Sequence, residues 1–320
     1  MNFIFYLHCG ISPIDGGGTV QLHLAKCISE RGFTAKVICP DGGTKNSIYN
    51  NFGSINDVND DTIAVYCEAI AGNPLGAKRV VRWILYGAWH SNIQTFADNE
   101  MIYYHLPFCK LNKPSNFLSC HYVNPNSFNK GLYRYRESCY IMKKGRHYAK
   151  NCNGTRTFGQ LKKPNLIRSL RSFSTNNSYE IDYLKSQEEF IEVFNTTKYF
   201  FCYDPVCFLV VIALMCGCIV IQDPMAGYTE LEYLYATLRS PERIKGLAYG
   251  IDNLPYANAT IHEAPEQCRK LVEANNSSID TFIQQIKNNT YSTNKCYDFH
   301  NSPYSFQHGY FKNKIMNNSV

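Results

Sequence analysis

Four short stretches of this chain hold residue types that can do chemistry. The first is "DGGGT", Asp15 to Thr19, between a predicted strand and a predicted helix. Gly16, Gly17 and Gly18 let the backbone approach a ligand closely, and a helix start offers free N–H groups to an anion. The stretch is not G-x-G-x-x-G, and no Gly-Lys-Ser/Thr follows as in a Walker A loop. A ligand-free turn is the other reading. The second is "MKKGRHY", Met142 to Tyr148, where Lys143, Lys144 and Arg146 surround Gly145. Lysine point charges and an arginine fork suit diphosphate oxygens, and an exposed turn is the alternative. The third is "CYDP", with Tyr203 and Asp204 at the end of a predicted buried strand. Asp204 can accept hydrogen bonds from sugar hydroxyls, balance developing positive charge, or cap the next helix with Pro205 at its first position. The fourth is "DPMAGYTELE", Asp223 to Glu232, where Gly227 and the N-cap candidate Thr229 place Glu230 and Glu232 in a first helical turn.

A general base has three candidates: His90 in "YGAWHS", His105 in "YYHLP" and Asp15 beside the glycines. A lone histidine near an apolar element also reads as a core residue. No metal is expected. Cys109, Cys120 and His121, or Cys139, His147 and Cys152, lack paired C-x2-C spacing. "NDD", Asn59 to Asp61, is like a D-x-D in type but precedes a strand instead of ending one.

These stretches need strands and helices to hold them. "FIFYL" (Phe3 to Leu7) predicts a strand, Thr19 to Glu30 a helix closed by Gly32, and "FTAKVICP" and "TIAVYC" (Thr62 to Cys67) two more strands. "GAKRVVRWILY" reads as a helix and "MIYYHL" (Met101 to Leu106) as a strand. Further on, "SCYIM" reads as a strand, "SQEEFIEVFNTT" and "TELEYLYATL" as helices, and "EQCRKLVEANNSSIDTFIQQIKN" as one or two more. Strands alternating with helices imply a doubly wound parallel sheet.

The longest uncharged apolar run, sixteen residues from Val206 to Ile221, tests that reading. A spanning helix needs about 20 apolar residues. This run is shorter, is bounded by Asp204–Pro205 and Asp223–Pro224, and divides at "CGC", Cys216 to Cys218. "PVCFLVVIALMC" predicts a helix with Gly217 at its cap, and "KYFFCY" before it and "CIVIQ" after it predict buried strands. The run is one βαβ unit, not a membrane segment.

At 320 residues the chain has room for two domains. The Asn-, Pro- and Ser-rich stretch from about Lys110 to Lys130 reads as the linker. The expected division is 1–125, 126–290 and a C-terminal tail 291–320: two Rossmann-like α/β domains across a cleft. Fourteen scattered cysteines, several in predicted strands, read as reduced thiols, hence a cytoplasmic location with no signal peptide. Net charge is +6, yet residues 126–171 hold twelve Lys or Arg and one acid, a local +11, so the remainder carries −5. Such a segment suits an anionic ligand or a peripheral membrane contact, or forms a solvated basic face.

"GGGTVQLHLAKCISERGFTAKVICP" resembles the opening of GT-B glycosyltransferases, and "KYFFCYDPVCFLVVIALMCGCIVIQDPMAG" resembles the donor-side segment of that fold. In glycosyltransferase family four a strand is followed by E-x7-E, a small-residue helix ending in Gly, and another strand. Aligned on Gly217, Asp204 takes the first Glu position and Ile212 the second, where isoleucine supplies no carboxylate. "GNPL" (Gly72 to Leu75), "VVRW" (Val80 to Trp83) and "YDP" (Tyr203 to Pro205) are similar to motifs of small bacterial and giant-virus glycosyltransferases.

The resemblance covers about two thirds of the chain and implies a GT-B fold. It implies a nucleotide-diphosphate-sugar donor bound in the C-terminal domain by Lys143, Lys144, Gly145, Arg146, Tyr203, Gly227, Thr229 and Glu230. A glycan, lipid-linked or protein acceptor would face Gly16, Gly17 and Gly18, and Asp204, His90 and Asp15 are the catalytic candidates. The basic "KKGR" would neutralise the departing diphosphate. The expectation is thus a metal-independent hexosyl- or other glycosyltransferase with no cofactor and no nucleic-acid partner. The alternatives are a degenerate transferase, or a basic α/β module for nucleic acid or anionic membrane.

Overall fold

The computed structural model describes residues 1–7, 16–40, 48–85, 95–106, 116–142, 178–204, 206–224, 228–290 and 293. The chain forms two compact α/β units. The first comprises Met1–Tyr122 with the stretch beginning at Val272, and the second begins at Val123 and runs to Leu271.

In the first unit the strands are β1 (Asn2–Tyr6), β2 (Thr34–Ile38), β3 (Thr62–Cys67), β4 (Arg79–Ile84), β5 (Met101–Tyr104) and β6 (Asn116–Phe117). They form one sheet in the order β2-β1-β3-β4-β5-β6, with every pair parallel. Parallel strands covered on both faces carry continuous apolar runs, and all six residues of β3 are buried.

β4 corrects the sequence reading, which had "GAKRVVRWILY" as a helix. It is a strand between β3 and β5, with Val81 opposite Val65 and Met101. Lys78, Arg79 and Arg82 repeat at helical spacing, but Arg82 is fully buried beside Glu100 and marks no solvent face.

Helix α1 (Gly16–Glu30) begins three residues earlier than expected, so the glycines form its first turn instead of preceding it. Its end is as expected: Gly32 takes φ +81°, its N–H reaches Ser29 O at 3.0 Å, and Phe33 N–H reaches Ile28 O at 3.3 Å. Leu22, Leu24, Ala25 and Ile28 pack on Phe3 and Phe5.

The second unit has β7 (Arg136–Ile141), β8 (Ser178–Glu180), α2 (Gln187–Thr196), β9 (Thr197–Cys202), α3 (Leu209–Met215), β10 (Ile219–Gln222), α4 (Glu230–Leu238), β11 (Leu247–Tyr249) and α5 (Leu254–Thr260). Its sheet is parallel throughout, in the order β11-β10-β9-β7-β8. The uncharged run divides as expected into α3 and β10. Gly217 takes φ +75°, with Gly217 N–H to Leu214 O and Cys218 N–H to Ala213 O both at 2.9 Å. Those two bonds satisfy the last carbonyls of α3. The helix starts at Leu209 with Phe208 as its N-cap, so Asp204 does not cap it, and Pro205 lies outside the described residues. Among the described residues no helix is long and apolar enough to cross a membrane.

Two helices follow, α6 (Ala264–Asn276) and α7 (Ser278–Asn288). The sequence reading kept both in the second domain. Instead Ile279, Phe282, Ile283 and Ile286 of α7 join the core of the first unit, with Phe282 4.8 Å from the Tyr103 ring and 6.0 Å from Phe3. An apolar stripe at i, i+3, i+4, i+7 must be covered, and the first sheet covers it.

Candidate functional site

Parallel strands present their carboxyl ends at one edge, and the residues after them are the natural ligand positions. In the second unit Tyr203 and Asp204 follow β9, Asp223 follows β10, and Gly250 follows β11. Ladder bonds continue past the strands: Tyr203 N–H to Ile141 O at 3.0 Å, Asp223 N–H to Cys202 O at 3.0 Å, and Gly250 N–H to Gln222 O at 2.9 Å. These residues therefore keep strand geometry up to the edge.

Gln222 holds the edge together. It is fully buried, and its Nε2 donates to Asp204 O at 3.1 Å and to Asp223 O at 3.2 Å. Its Oε1 finds no hydrogen-bond donor among the described residues. Asp204 is 3% exposed, and the Cys202 thiol donates to its carbonyl at 3.5 Å. Tyr203 lies 6.4 Å from the Tyr140 ring. Burial, with the Asp223 charge adding, pushes its phenol well above the ordinary range.

α4, which follows β10 in the chain, carries two further carboxylates in its first turn. As expected, Thr229 is its N-cap: Thr229 Oγ1 accepts from Glu232 N–H at 3.4 Å, and the Glu232 carboxylate accepts from Thr229 N–H at 2.8 Å. That reciprocal box holds the Glu232 carboxyl below its ordinary range, chiefly through the Thr229 backbone N–H. Glu232 is thus occupied by capping, whereas Glu230 is not. Glu230 Oε2 pairs with Arg243 Nε at 2.9 Å, and its buried Oε1 has no hydrogen-bond partner among the described residues. Arg243 is steadied in turn by the Tyr256 ring, 3.9 Å from its guanidinium carbon, and by Asn253 Oδ1 at 3.2 Å. Asn253 Nδ2 reaches Tyr249 O at 2.6 Å, which ties this group to the end of β11.

Of the sequence-nominated residues, Tyr203, Asp204, Thr229 and Glu230 thus fall at the carboxyl edge of the second sheet. Lys143, Lys144, Gly145, Arg146, Gly227, His90 and Asp15 lie outside the described residues. Ile212 is buried in α3, among the apolar residues that cover the sheet. Gly16, Gly17 and Gly18 belong to α1 in the first unit, and Gln21 Nε2 donates to Gly17 O at 3.2 Å. His105 is a core residue: it is buried edge-on to Trp83 and His121, at 5.5 and 4.9 Å. "NDD" forms a turn in which Asn59 Oδ1 accepts from Asp61 N–H at 3.0 Å. Among the described residues no group of three or more His, Cys, Asp or Glu side chains could hold a metal.

Gln222 and Arg243 were missed. Gln222 had a signal, as the one polar residue closing "CIVIQ". Arg243 had none, because its meaning comes from Glu230 thirteen residues away.

"GNPL" and "VVRW" turn out to build one buried knot. Arg82 donates to Glu100 Oε2 at 2.6 Å, to Ile70 O at 2.8 Å and to Gly72 O. Asn73 Oδ1 accepts from Tyr66 OH at 2.7 Å, and Tyr66 OH accepts from Leu75 N–H at 3.0 Å. These motifs shape the loop after β3.

No protein-family model matches the chain, and no curated protein matches it. Solved structures with a similar path include an alpha-glucosyltransferase in complex with UDP-glucose and DNA containing an abasic site. It is 9% identical at TM-score 0.46, over 89% of this chain and 95% of that one. A mutant of T4 phage BGT in complex with UDP-glucose gives 9% and 0.47, over 98% and 99%. T4 phage beta-glucosyltransferase gives 10% and 0.45, again over 98% and 99%. At such identities and TM-scores the likeness carries no conclusion about activity, which must rest on this chain's own residues.

Proposed function

We propose that the chain is a GT-B glycosyltransferase that moves a sugar from a nucleotide-diphosphate donor to a hydroxyl acceptor. The observation that carries this reading is the pair of buried acceptor oxygens, Gln222 Oε1 and Glu230 Oε1, which find no donor among the described residues at the carboxyl edge of the second sheet. A buried acceptor without a partner costs about 1–3 kcal/mol, so such a pair suits a ligand rich in hydroxyl and N–H donors. The ribose, base and sugar of a nucleotide sugar are of that kind. The sequence resemblance supports the same reading, with "KKGR" neutralising the diphosphate and Asp204 as the donor-side carboxylate. Transfer is taken to be metal-independent because Lys143, Lys144 and Arg146 supply the positive charge that a divalent ion would otherwise bring.

Calorimetric titration with UDP, GDP, ADP, CMP and dTDP tests the proposal on wild type, Glu230→Ala and the Lys144→Ala/Arg146→Ala pair. One diphosphate is expected to bind saturably. Affinity should fall about 10- to 100-fold in Glu230→Ala, the loss of one charge-assisted hydrogen bond. It should also fall in the basic double variant. No binding of any nucleotide by the folded protein refutes the reading. The matching UDP- or GDP-sugar, offered with glycan, lipid-linked, protein and DNA acceptors in EDTA, then tests the acceptor class and the metal independence.

A further inference from the structure

The segment that leads into β7 in the second unit is turned inside out. Its polar groups face the body of the unit. Lys130 N–H donates to Oδ1 of the buried Asn195 at 2.8 Å, and Ser127 is buried with its N–H on Asn124 O at 2.8 Å. Arg134 Nη1 donates to Phe194 O at 2.8 Å and to Thr197 O, and its Nη2 donates to Cys216 O at 2.7 Å. Phe194 lies in the last turn of α2 and Cys216 is the C-cap of α3, so one guanidinium serves the carbonyl ends of two helices. Arg136 Nη1 donates to Thr196 Oγ1. Gly131, at φ +65°, turns the chain between these anchors, with its N–H on Asn129 Oδ1 at 3.0 Å.

The large apolar side chains of the same segment face outward. Tyr133 is 84% exposed, and Phe128, Leu132 and Tyr135 are each about half exposed. Among the described residues nine large hydrophobic side chains are exposed, and these four fall within eight consecutive positions. A single exposed hydrophobe is ordinary, but a cluster held outward by the inward bonds of its polar neighbours marks a contact surface.

We propose that residues 128–135 form a docking loop for an anionic lipid surface. Phe128, Leu132, Tyr133 and Tyr135 enter the headgroup layer, and the basic residues around them draw the protein to it. The inference does not rest on the transferase reading.

Three observations select a lipid surface as the occupant. The first is the kind of side chain: tyrosine rings sit at headgroup depth, and Leu and Phe reach the acyl boundary below. Among the described residues no helix is long enough to span, so this contact is made from the surface. The second is charge. From Val123 to Arg136 there is no Asp or Glu, while Lys130, Arg134 and Arg136 are cationic, and the basic segment with a local +11 begins here. Anionic headgroups attract such a field within a Debye length. A second copy of the chain would bring the same sign to the same face and be repelled. The third is what the cations are doing. A nucleic-acid strand needs cations free for its phosphates and ring faces free for its bases. The Arg134 donors are committed to backbone carbonyls, the Arg136 guanidinium covers the Tyr135 ring at 4.7 Å, and Leu132 has no ring. A lipid surface needs only net charge and apolar reach, and the segment supplies both.

The test co-sediments the folded full chain with vesicles of phosphatidylcholine alone and of phosphatidylcholine mixed with phosphatidylserine. Binding to the mixed vesicles is expected, about 10-fold or more tighter than to the neutral ones and weakened by added salt. Leu132→Ser/Tyr133→Ser should lower that affinity by about 10-fold or more, because two apolar side chains no longer leave water. Both positions are exposed, so the circular-dichroism melt of this variant should match that of the wild type. In Tyr133→Trp the added indole should be quenched by lipids brominated on their acyl chains. No binding to the mixed vesicles by the folded wild type, unchanged affinity in the double variant, or an unquenched indole in the bound protein overturns the proposal. So does a concentration-dependent dimer in sedimentation velocity that the double variant abolishes, which would assign the surface to a second copy. A labelled single-stranded oligonucleotide that displaces the mixed vesicles and loses its affinity in the same variant would assign it to nucleic acid instead.

Discussion

Replacing Arg82 with methionine should cost the first unit about 4–6 kcal/mol. The guanidinium is fully buried, and its partner Glu100 is 4% exposed. Removing one member of a buried pair leaves the other charge uncompensated, which costs about 3–5 kcal/mol. The carbonyls of Ile70 and Gly72 also lose their donor, at about 1–3 kcal/mol each if they stay dry. The full sum would overcount, because these groups share one network and water can reach the loop after β3. Contacts of the guanidinium with the Phe96 and Tyr66 rings, at 4.2 and 4.7 Å, are lost as well. Against a total stability of about 5–15 kcal/mol, this is a large fraction. The assay is urea unfolding followed by tryptophan fluorescence. Both tryptophans, Trp83 and Trp89, lie in the first 122 residues, so the signal belongs to the first unit. Arg82→Met/Glu100→Leu should recover about 2–4 kcal/mol of the loss, since no charge is then stranded. A single variant within about 1 kcal/mol of wild type, or a double variant less stable than the single one, would refute the reasoning.

Two further outcomes follow from the same kind of argument. Gly217→Ala should destabilise the second unit by about 2–4 kcal/mol in a circular-dichroism melt, because φ +75° strains any L side chain. Its Cβ would also meet Asn129 Nδ2 at 2.7 Å and Arg134 Nη2 at 2.9 Å, and Arg134 is held by the carbonyls of Phe194 and Cys216. A loss under about 0.5 kcal/mol counts against this. The Arg31 guanidinium holds the Asp280 carboxyl below its ordinary 3.8. A carboxylate depressed in the folded state stabilises above its unfolded value, and the contribution fades as pH falls through the folded one. The pair is exposed, so Asp280→Asn should cost under about 1 kcal/mol at pH 7 and nothing below both values. A deficit that persists at pH 2 would show that the charge is not what Asp280 contributes.

Signals that act within a few residues were legible in the sequence. The apolar runs of β1, β3, β5, β9 and β10, the glycine ends at Gly32 and Gly217, and the Thr229 cap all stand as read. Each depends on local φ/ψ, on one missing Cβ or on a side chain meeting its own backbone, so a window of ten residues contains the whole cause. The division of the uncharged run into α3 and β10 was legible for the same reason. Tertiary structure decided the rest. β4 is a strand because β3 and β5 flank it and Glu100 receives its arginine, facts that lie 16 to 20 residues away. The glycines enter α1 although their propensity argues for a turn. α7 joins the first unit because its apolar stripe packs against Phe3 and Tyr103, which its own sequence does not name. Glu230 stands in a first helical turn by sequence, but only the fold pairs one of its oxygens with Arg243 and leaves the other without a partner among the described residues. Propensity and capping are local energies, whereas the choice of partner for a buried face or a buried charge is made only when distant segments compete to cover it.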